Sequence, residues 1–395
     1  MYDLVVFGAA GFTGSLAAEY FAQKMPEGRR WAVAGRSREK LDALKIRLSR
    51  FRAPPSEYQV IDHSNAAAVR GLVSQSKVAI NYAGPFGRYG ENIVASCAEL
   101  GVHYLDITGE TLWARTMIDK YESLAEKSGA ILIPFSGFDS VPSDLGAWKV
   151  VELARAKDAG RGITRVINLI SVNGGINGGT FQTVLDILAF DKTQMQSFLD
   201  TALLVPARFK EKFKFKTLMR PVHVPEEGVT APPFFMESVN SRVVYGSQAL
   251  PGGALFEYIE LGFLSKVASS LTAWGVVVGT AAFTVVGRHG WAQKLLKKYG
   301  VKSGQGPSAE LQENGFFRAK LFAYAGQELV ARFEMFYAGD PGNKATVLLS
   351  WESTFCLMES LGKIPAKKGG FWTPSTALGS VLYERLEAAG VKFQV

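Results

Sequence analysis

Seven residues near the N-terminus, Gly8-Ala9-Ala10-Gly11-Phe12-Thr13-Gly14, follow an apolar stretch and open a helical pattern. Glycines at such a junction let the chain turn tightly. They also let a phosphate approach the free N–H groups at the helix start, where the dipole favours an anion. The spacing is G-x-x-G-x-x-G rather than G-x-G-x-x-G, so the pattern alone is weak. Its position after a strand and inside a β-α-β unit points to a dinucleotide. The expected phosphate contacts are Gly8, Ala10, Gly11, Phe12, Thr13 and Gly14. The second apolar stretch ends in Ala34-Gly35-Arg36-Ser37-Arg38. An acid here would bind the ribose hydroxyls of NAD. The chain offers Arg36, Ser37 and Lys40 instead, and a guanidinium fork suits a 2′-phosphate. The expected cofactor is therefore NADPH. Asp62, after the third strand, is expected to meet the adenine. Ala83, Gly84 and Pro85, at the end of the fourth, are expected to line the ribose and nicotinamide.

Hydride delivery to a C=C or C=O leaves an anion that must be protonated. Tyr89, Tyr104, Asp139 and Ser140 stand in the loops that would surround the reacting end and are the candidate donors. Asp139 needs burial to hold a proton near neutral pH. It reads equally as a cap for a helix starting near Pro142, a job Ser140 could share, and water is a further alternative donor. Segments 135–143 and 173–180 carry no charge except Asp139. That favours a neutral, hydrophobic acceptor over a zwitterionic amino acid.

These residues need a scaffold. Apolar runs at Leu4–Gly8, Trp31–Gly35, Tyr58–Ile61, Val78–Tyr82, His103–Ile107 and Ala130–Phe135 alternate with helical patterns. Six-fold alternation predicts an α/β fold, a Rossmann-type doubly wound parallel sheet, over residues 1–150. Near-continuous apolar strands fit that sheet better than half-exposed ones. Residues 151–345 read as a second α+β domain for substrate binding or dimerisation, with a strand at 166–173, a hairpin at 316–338 and an irregular stretch at 206–240. Residues 346–395 read as C-terminal helices.

The chain has 395 residues, of which 47% are apolar and 20% charged, so disorder is excluded as its main state. Its net charge of +8 is too weak to imply nucleic acid. Two cysteines and four scattered histidines offer neither a disulfide framework nor a metal site. Tyr-x-x-x-Lys occurs only at Tyr20–Lys24, far from any nicotinamide, and neither a G-x-S-x-G elbow nor a P-loop is present.

Five motifs together resemble one family. They are Gly-Ala-Ala-Gly-Phe-Thr-Gly (8–14), Ala-Gly-Arg-Ser (34–37), Asn-Tyr-Ala-Gly-Pro-Phe (81–86), His-Tyr-Leu-Asp-Ile-Thr-Gly-Glu (103–110) and Gly-Phe-Asp-Ser-Val-Pro-Ser-Asp (137–144). The chain resembles the saccharopine dehydrogenase-like oxidoreductases, whose bacterial relatives include trans-acting enoyl reductases of lipid synthesis. The resemblance continues through Gly306-Pro307-Ser308, Gly339–Gly342 and Thr373-Pro374-Ser375. It implies that the C-terminal helices return to the dinucleotide domain. The expected activity is NADPH-dependent reduction of a lipid- or isoprenoid-like unsaturated carbonyl compound. A saccharopine-type amino-acid dehydrogenase and a non-catalytic NADP-binding scaffold are the alternatives.

The mean hydropathy of +0.07 has a local cause. Residues 267–287 carry no charge, and a basic stretch with Trp291 and Tyr299 follows. As a helix the run would be about 30 Å long, enough for a bilayer core. Three readings compete: a span, a buried core helix, and a segment docked on a membrane or lipid-droplet surface. The N-terminus has no basic region or cleavage site. The expectation is a protein on the cytoplasmic side, peripheral to a membrane or lipid droplet, with a hydrophobic small-molecule substrate and a homodimer admitted.

Overall fold

The computed structural model describes residues 1–158, 160, 162–250, 253–265, 269–302 and 304–395. They form two compact units. One comprises Met1–Val141, Gly304–Gly306 and Gly342–Ala389; the other comprises Pro142–Ser303, Pro307–Pro341 and Gly390–Val395.

The first unit begins with β1 (Tyr2–Phe7), α1 (Phe12–Lys24), β2 (Trp31–Gly35), α2 (Arg38–Leu48), β3 (Glu57–Val60) and α3 (Ala66–Val73). It continues with β4 (Ser76–Asn81), α4 (Phe86–Tyr89), α5 (Glu91–Leu100), β5 (His103–Asp106), α6 (Thr111–Ser128) and β6 (Ile131–Ile133). The second unit contributes α7 (Val141–Lys157), β7 (Arg165–Asn173), α8 (Gly178–Leu188), α9 (Lys192–Leu199), β8 (Val222–Val224), β9 (Val229–Ala231), α10 (Glu237–Ala249) and β10 (Glu257–Gly262). After these come α11 (Ser270–Gly287), α12 (Gly290–Tyr299), α13 (Ala309–Asn314), β11 (Phe316–Ala325) and β12 (Glu328–Ala338). The chain ends with α14 (Thr346–Glu359), β13 (Gly370–Phe371), α15 (Pro374–Ala388) and β14 (Lys392–Gln394).

The first unit holds a seven-stranded parallel sheet in the order β13-β6-β5-β4-β1-β2-β3. This is the doubly wound Rossmann-type arrangement, and the strand order reverses between β1 and β4. A ligand belongs at that switch point, outside the carboxyl ends of the strands. The apolar runs of β1, β2 and β4 are almost wholly buried, as a sheet covered on both faces requires. Polar side chains start the helices between them: Ser37 accepts from Lys40 N–H and Asn65 from Ala68 N–H.

The seventh strand, β13, has two residues and no sequence periodicity. Tertiary bonds hold it, from Gly370 N–H to Ala130 O (2.9 Å) and from Phe371 N–H to Glu122 Oε2 (2.8 Å). α14 packs on α1 through Trp351 and Phe21, whose ring centroids are 4.7 Å apart. Ser350 Oγ lies 2.6 Å from the Tyr82 hydroxyl.

Two boundaries differ from the sequence reading. The first unit closes at Val141 rather than 150. α7 is one unbroken helix, so composition gives no sign of the border. Its Gly146 belongs to the second unit's core, where an added Cβ would meet Leu321 Cδ1 at 2.8 Å. Gly390–Val395 also join the second unit, because β14 pairs with β12.

The second unit contains a mixed sheet, β10-β7-β11-β12-β14, with the β11–β12 hairpin turning at Gly326. Inside the stretch read as irregular, β8 and β9 form a small hairpin. Three-residue strands are too short to show alternation. The apolar segment is helical over Ser270–Gly287, while Lys266, Val267 and Ala268 lie outside the described residues. Only Ala273 and Gly287 of this helix are buried, so it is no core helix.

Candidate active site

The glycine loop lies at the carboxyl end of β1. Gly8 has φ +76°, and a Cβ there would stand 2.5 Å from Ala83 N. A Cβ on Gly14 would stand 2.2 Å from Gly8 O. Neither position tolerates a side chain without backbone movement. Gly11 caps α1 with no side-chain hydrogen bond, and the first turn carries no acid. A helix start without a side-chain cap or an acid is the kind that suits an anion. Ala10 lies against Gly35 on β2, where a Cβ would be 3.0 Å from Ala10 Cβ. Phe12 lies beside Gly306, and Thr13 Oγ1 is 3.5 Å from Asn343 Oδ1.

Arg36 follows β2 and is exposed. Its guanidinium lies 4.4 Å from the centroid of the Tyr89 ring, a cation–π contact that holds the fork flat. Tyr89 was expected among the proton donors; the structure places its ring against the Arg36 guanidinium. Ser37 serves as the cap of α2, and Lys40 is exposed in the first turn of that helix. Asp62 accepts from Ser64 N–H (3.0 Å), which, with Arg36 nearby, holds its carboxyl below the usual range.

Beside Asp62 stands His63, which sequence reasoning missed. It is 3% exposed, edge-on to Phe7, and neither ring nitrogen has a hydrogen-bond partner. Burial, with Arg36 adding to it, pulls its pKa down to about 4, so the ring is neutral.

A buried polar network fixes the ends of β4, β5 and β6. Tyr104 donates its hydroxyl to Asp106 Oδ2 (2.8 Å) and accepts from Asn81 Nδ2 (3.4 Å). Asn81 Oδ1 accepts from Ala83 N–H (2.8 Å). Asp106 Oδ1 accepts from Thr108 N–H (3.0 Å) and Phe135 N–H (3.1 Å). Desolvation raises Asp106 to about 7 against these bonds. Burial also drives the Tyr104 hydroxyl well above its ordinary range.

Tyr104 is fully buried and its proton is committed to Asp106, which corrects its expected role as a donor to substrate. It is a positioning residue. Tyr104→Phe should leave kcat within about threefold and cost about 1–2 kcal/mol of stability in urea unfolding, because it strips one bond from a buried carboxylate.

Glu110 does a second positioning job across the sequence. Its Oε1 accepts from Phe86 N–H (2.7 Å) and its Oε2 from Gly87 N–H (2.9 Å). It thereby caps α4 and sets the Ala83-Gly84-Pro85 turn.

The loop after β6 carries Phe135 at φ +64°, a left-handed conformation costly for an aromatic residue. Asp106 pins it there. Phe138 N–H donates to Thr346 Oγ1 (3.2 Å), and Val141 N–H donates to Gly137 O (3.0 Å). Ser140 is buried immediately before α7. Asp139 makes no capping bond, stands half-buried, and has its pKa pushed up to about 6 by burial alone. Of the four expected donors, Asp139 has the chemistry of an acid available near neutral pH. A cleft of about 470 Å³, lined by residues such as Met1, Asp3 and Leu357, lies at the opposite ends of the strands and contains none of the four expected donors.

Comparison with known proteins agrees with this fold. Residues 4–133 match the saccharopine dehydrogenase NADP binding domain family. The whole chain is 33% identical, over 97% of the relative's length, to a Mycobacterium tuberculosis protein provisionally named a trans-acting enoyl reductase. Over 99% of its length it is 30% identical to the trans-acting enoyl reductase of Mycobacterium bovis, of which it covers 96%. In fold it is similar to a saccharopine dehydrogenase (L-Glu forming) from Saccharomyces cerevisiae, with a TM-score of 0.54, 11% identity, and coverage of 100% of this chain and 99% of that one.

Proposed function

This chain belongs to the saccharopine dehydrogenase-like, NADP-binding oxidoreductases, and from that premise we propose that it reduces a hydrophobic, lipid- or isoprenoid-like unsaturated carbonyl compound with NADPH. The observation that carries the reading is Asp139, a half-buried carboxyl without a charged partner, in a loop otherwise free of charge. A zwitterionic amino acid would need fixed charges to receive it. Full-length similarity to proteins named trans-acting enoyl reductases supports the same reading.

The residues present fit the cofactor. Gly8, Gly11 and Gly14 leave the space, and the first turn of α1 leaves the N–H groups, that a pyrophosphate requires. Arg36, steadied by Tyr89, would hold the 2′-phosphate. Asp62 and the buried His63 stand where the adenosine half would lie. The bound nicotinamide supplies a hydride. Asp139, protonated through burial, would hold the proton that the reduced substrate takes up. Asn81, Tyr104, Asp106 and Glu110 keep the three loops in register and exchange no proton with substrate.

The test is NADPH consumption by the purified protein with a long-chain 2-enoyl thioester, a long-chain ketone, and a 2-oxo acid plus amino-acid pair. Turnover of either of the first two supports the proposal and decides between C=C and C=O. Turnover of the third alone would replace it with amino-acid chemistry. Tight NADPH binding with no turnover would leave a scaffold.

A further inference from the structure

We propose that α11 and α12 form a monotopic docking surface that embeds in one leaflet of an anionic membrane. α11 carries no charged residue, yet only 11% of it is buried. Leu271 is 81% exposed and Val278 and Val285 are each 62% exposed, a face left open among the described residues. α12 is amphipathic, with Trp291, Leu295 and Tyr299 exposed beside Lys294, Lys297 and Lys298. Such a pairing of apolar bulk, interfacial aromatics and lysines is the composition of an in-plane membrane helix.

Charge identifies the occupant. Between Glu260 and Glu310 the sequence has no acidic residue, and its six basic ones are Lys266, Arg288, Lys294, Lys297, Lys298 and Lys302. A partner protein with a merely apolar face would not call for that excess. An anionic lipid headgroup layer does, with each lysine near the surface adding to the attraction.

The topology of the second unit excludes a span. β10 precedes α11, β11 follows it, and both pair with β7 in one sheet, so the two flanks of α11 lie on the same side of any bilayer. α12 has ten residues, too few to cross back. Both ends of α11 are also tied to the same unit. The helix packs on β9 with Ala273 fully buried, and at its other end Gly287 meets Leu188 while Arg288 donates to Phe190 O (2.8 Å). α12 ends with Gly300 against the Phe181 ring of α8. The helix therefore lies along its unit, presenting one long side to lipid.

The experiment uses the full chain with NADPH, floated with vesicles of phosphatidylcholine alone or with about a third phosphatidylserine. The wild type should float with the anionic vesicles. Lys294→Glu/Lys297→Glu/Lys298→Glu should cut the bound fraction about tenfold at low salt and less at high salt. Val278→Lys/Val285→Lys should abolish flotation. Both variants should keep wild-type NADPH affinity, which shows that they fold. Wild-type protein that stays at the bottom with both vesicles would overturn the proposal. A non-floating dimer that Val278→Lys/Val285→Lys splits into monomers would also overturn it and assign the face to a second copy.

Discussion

Asp139→Asn should lower kcat about 10²-fold or more while NADPH binding is unchanged, as expected when a positioned acid is removed. The pH profile separates this from a structural effect. Wild-type kcat/KM should fall as pH rises through about 6, where Asp139 loses its proton, and the variant should lose that limb. Stability carries a second signature. Burial raises the carboxyl from 3.8 in the unfolded chain to about 6 in the fold. The stabilising contribution of the protonated form is complete below pH 3.8 and lost as pH climbs through 6. Asparagine has no such titration, so Asp139→Asn should gain stability relative to wild type above pH 6 and lose the gain at pH 4. Urea unfolding at the two pH values checks this. Unchanged turnover with an intact pH limb would assign the proton to water.

Arg36→Asp should change the cofactor preference by about 10²-fold. The wild type should bind NADPH at least about tenfold more tightly than NADH, about 1.4 kcal/mol, through a fork that matches the 2′-phosphate. Aspartate in its place would repel that phosphate and accept from the ribose hydroxyls, so the preference should invert. Tyr89→Ala should weaken NADPH binding several-fold and leave NADH binding unchanged, because the tyrosine ring acts through the guanidinium. Titration of each cofactor by intrinsic fluorescence reads both effects. Equal wild-type affinities would remove Arg36 from the selectivity argument.

What could be read from the sequence was whatever is local. The phosphate loop, Arg36 and the strand-helix alternation each sit within a few consecutive residues, and the structure has the parallel sheet that they require. What could not be read depends on partners far along the chain. The Tyr104 hydroxyl looked available because its acceptor, Asp106, is identified only by the side-chain geometry of β5. Glu110 binds backbone 23 and 24 residues away, and no spacing rule announces such a cap. Tyr89 lies 53 positions from Arg36 and meets it only because β2 and β4 flank β1 in parallel and end on the same edge of the sheet. His63 had a signal, a histidine directly after the acid expected at adenine, but only burial distinguishes it from a surface residue. In α11 the hydropathy was plain and the exposure was not, since an apolar helix reads alike in a core and on a lipid face.

Isotope tracing tests the central reading most directly. NADPH deuterated at the reactive nicotinamide carbon is incubated with the protein and a long-chain 2-enoyl thioester or ketone, and the product is analysed by mass spectrometry. The account predicts one deuterium at a non-exchangeable carbon of the reduced acceptor per NADPH consumed, with the yield falling about 10²-fold in Asp139→Asn. Deuterium appearing only in an amino-acid product, or in no acceptor while NADPH stays bound, would contradict it.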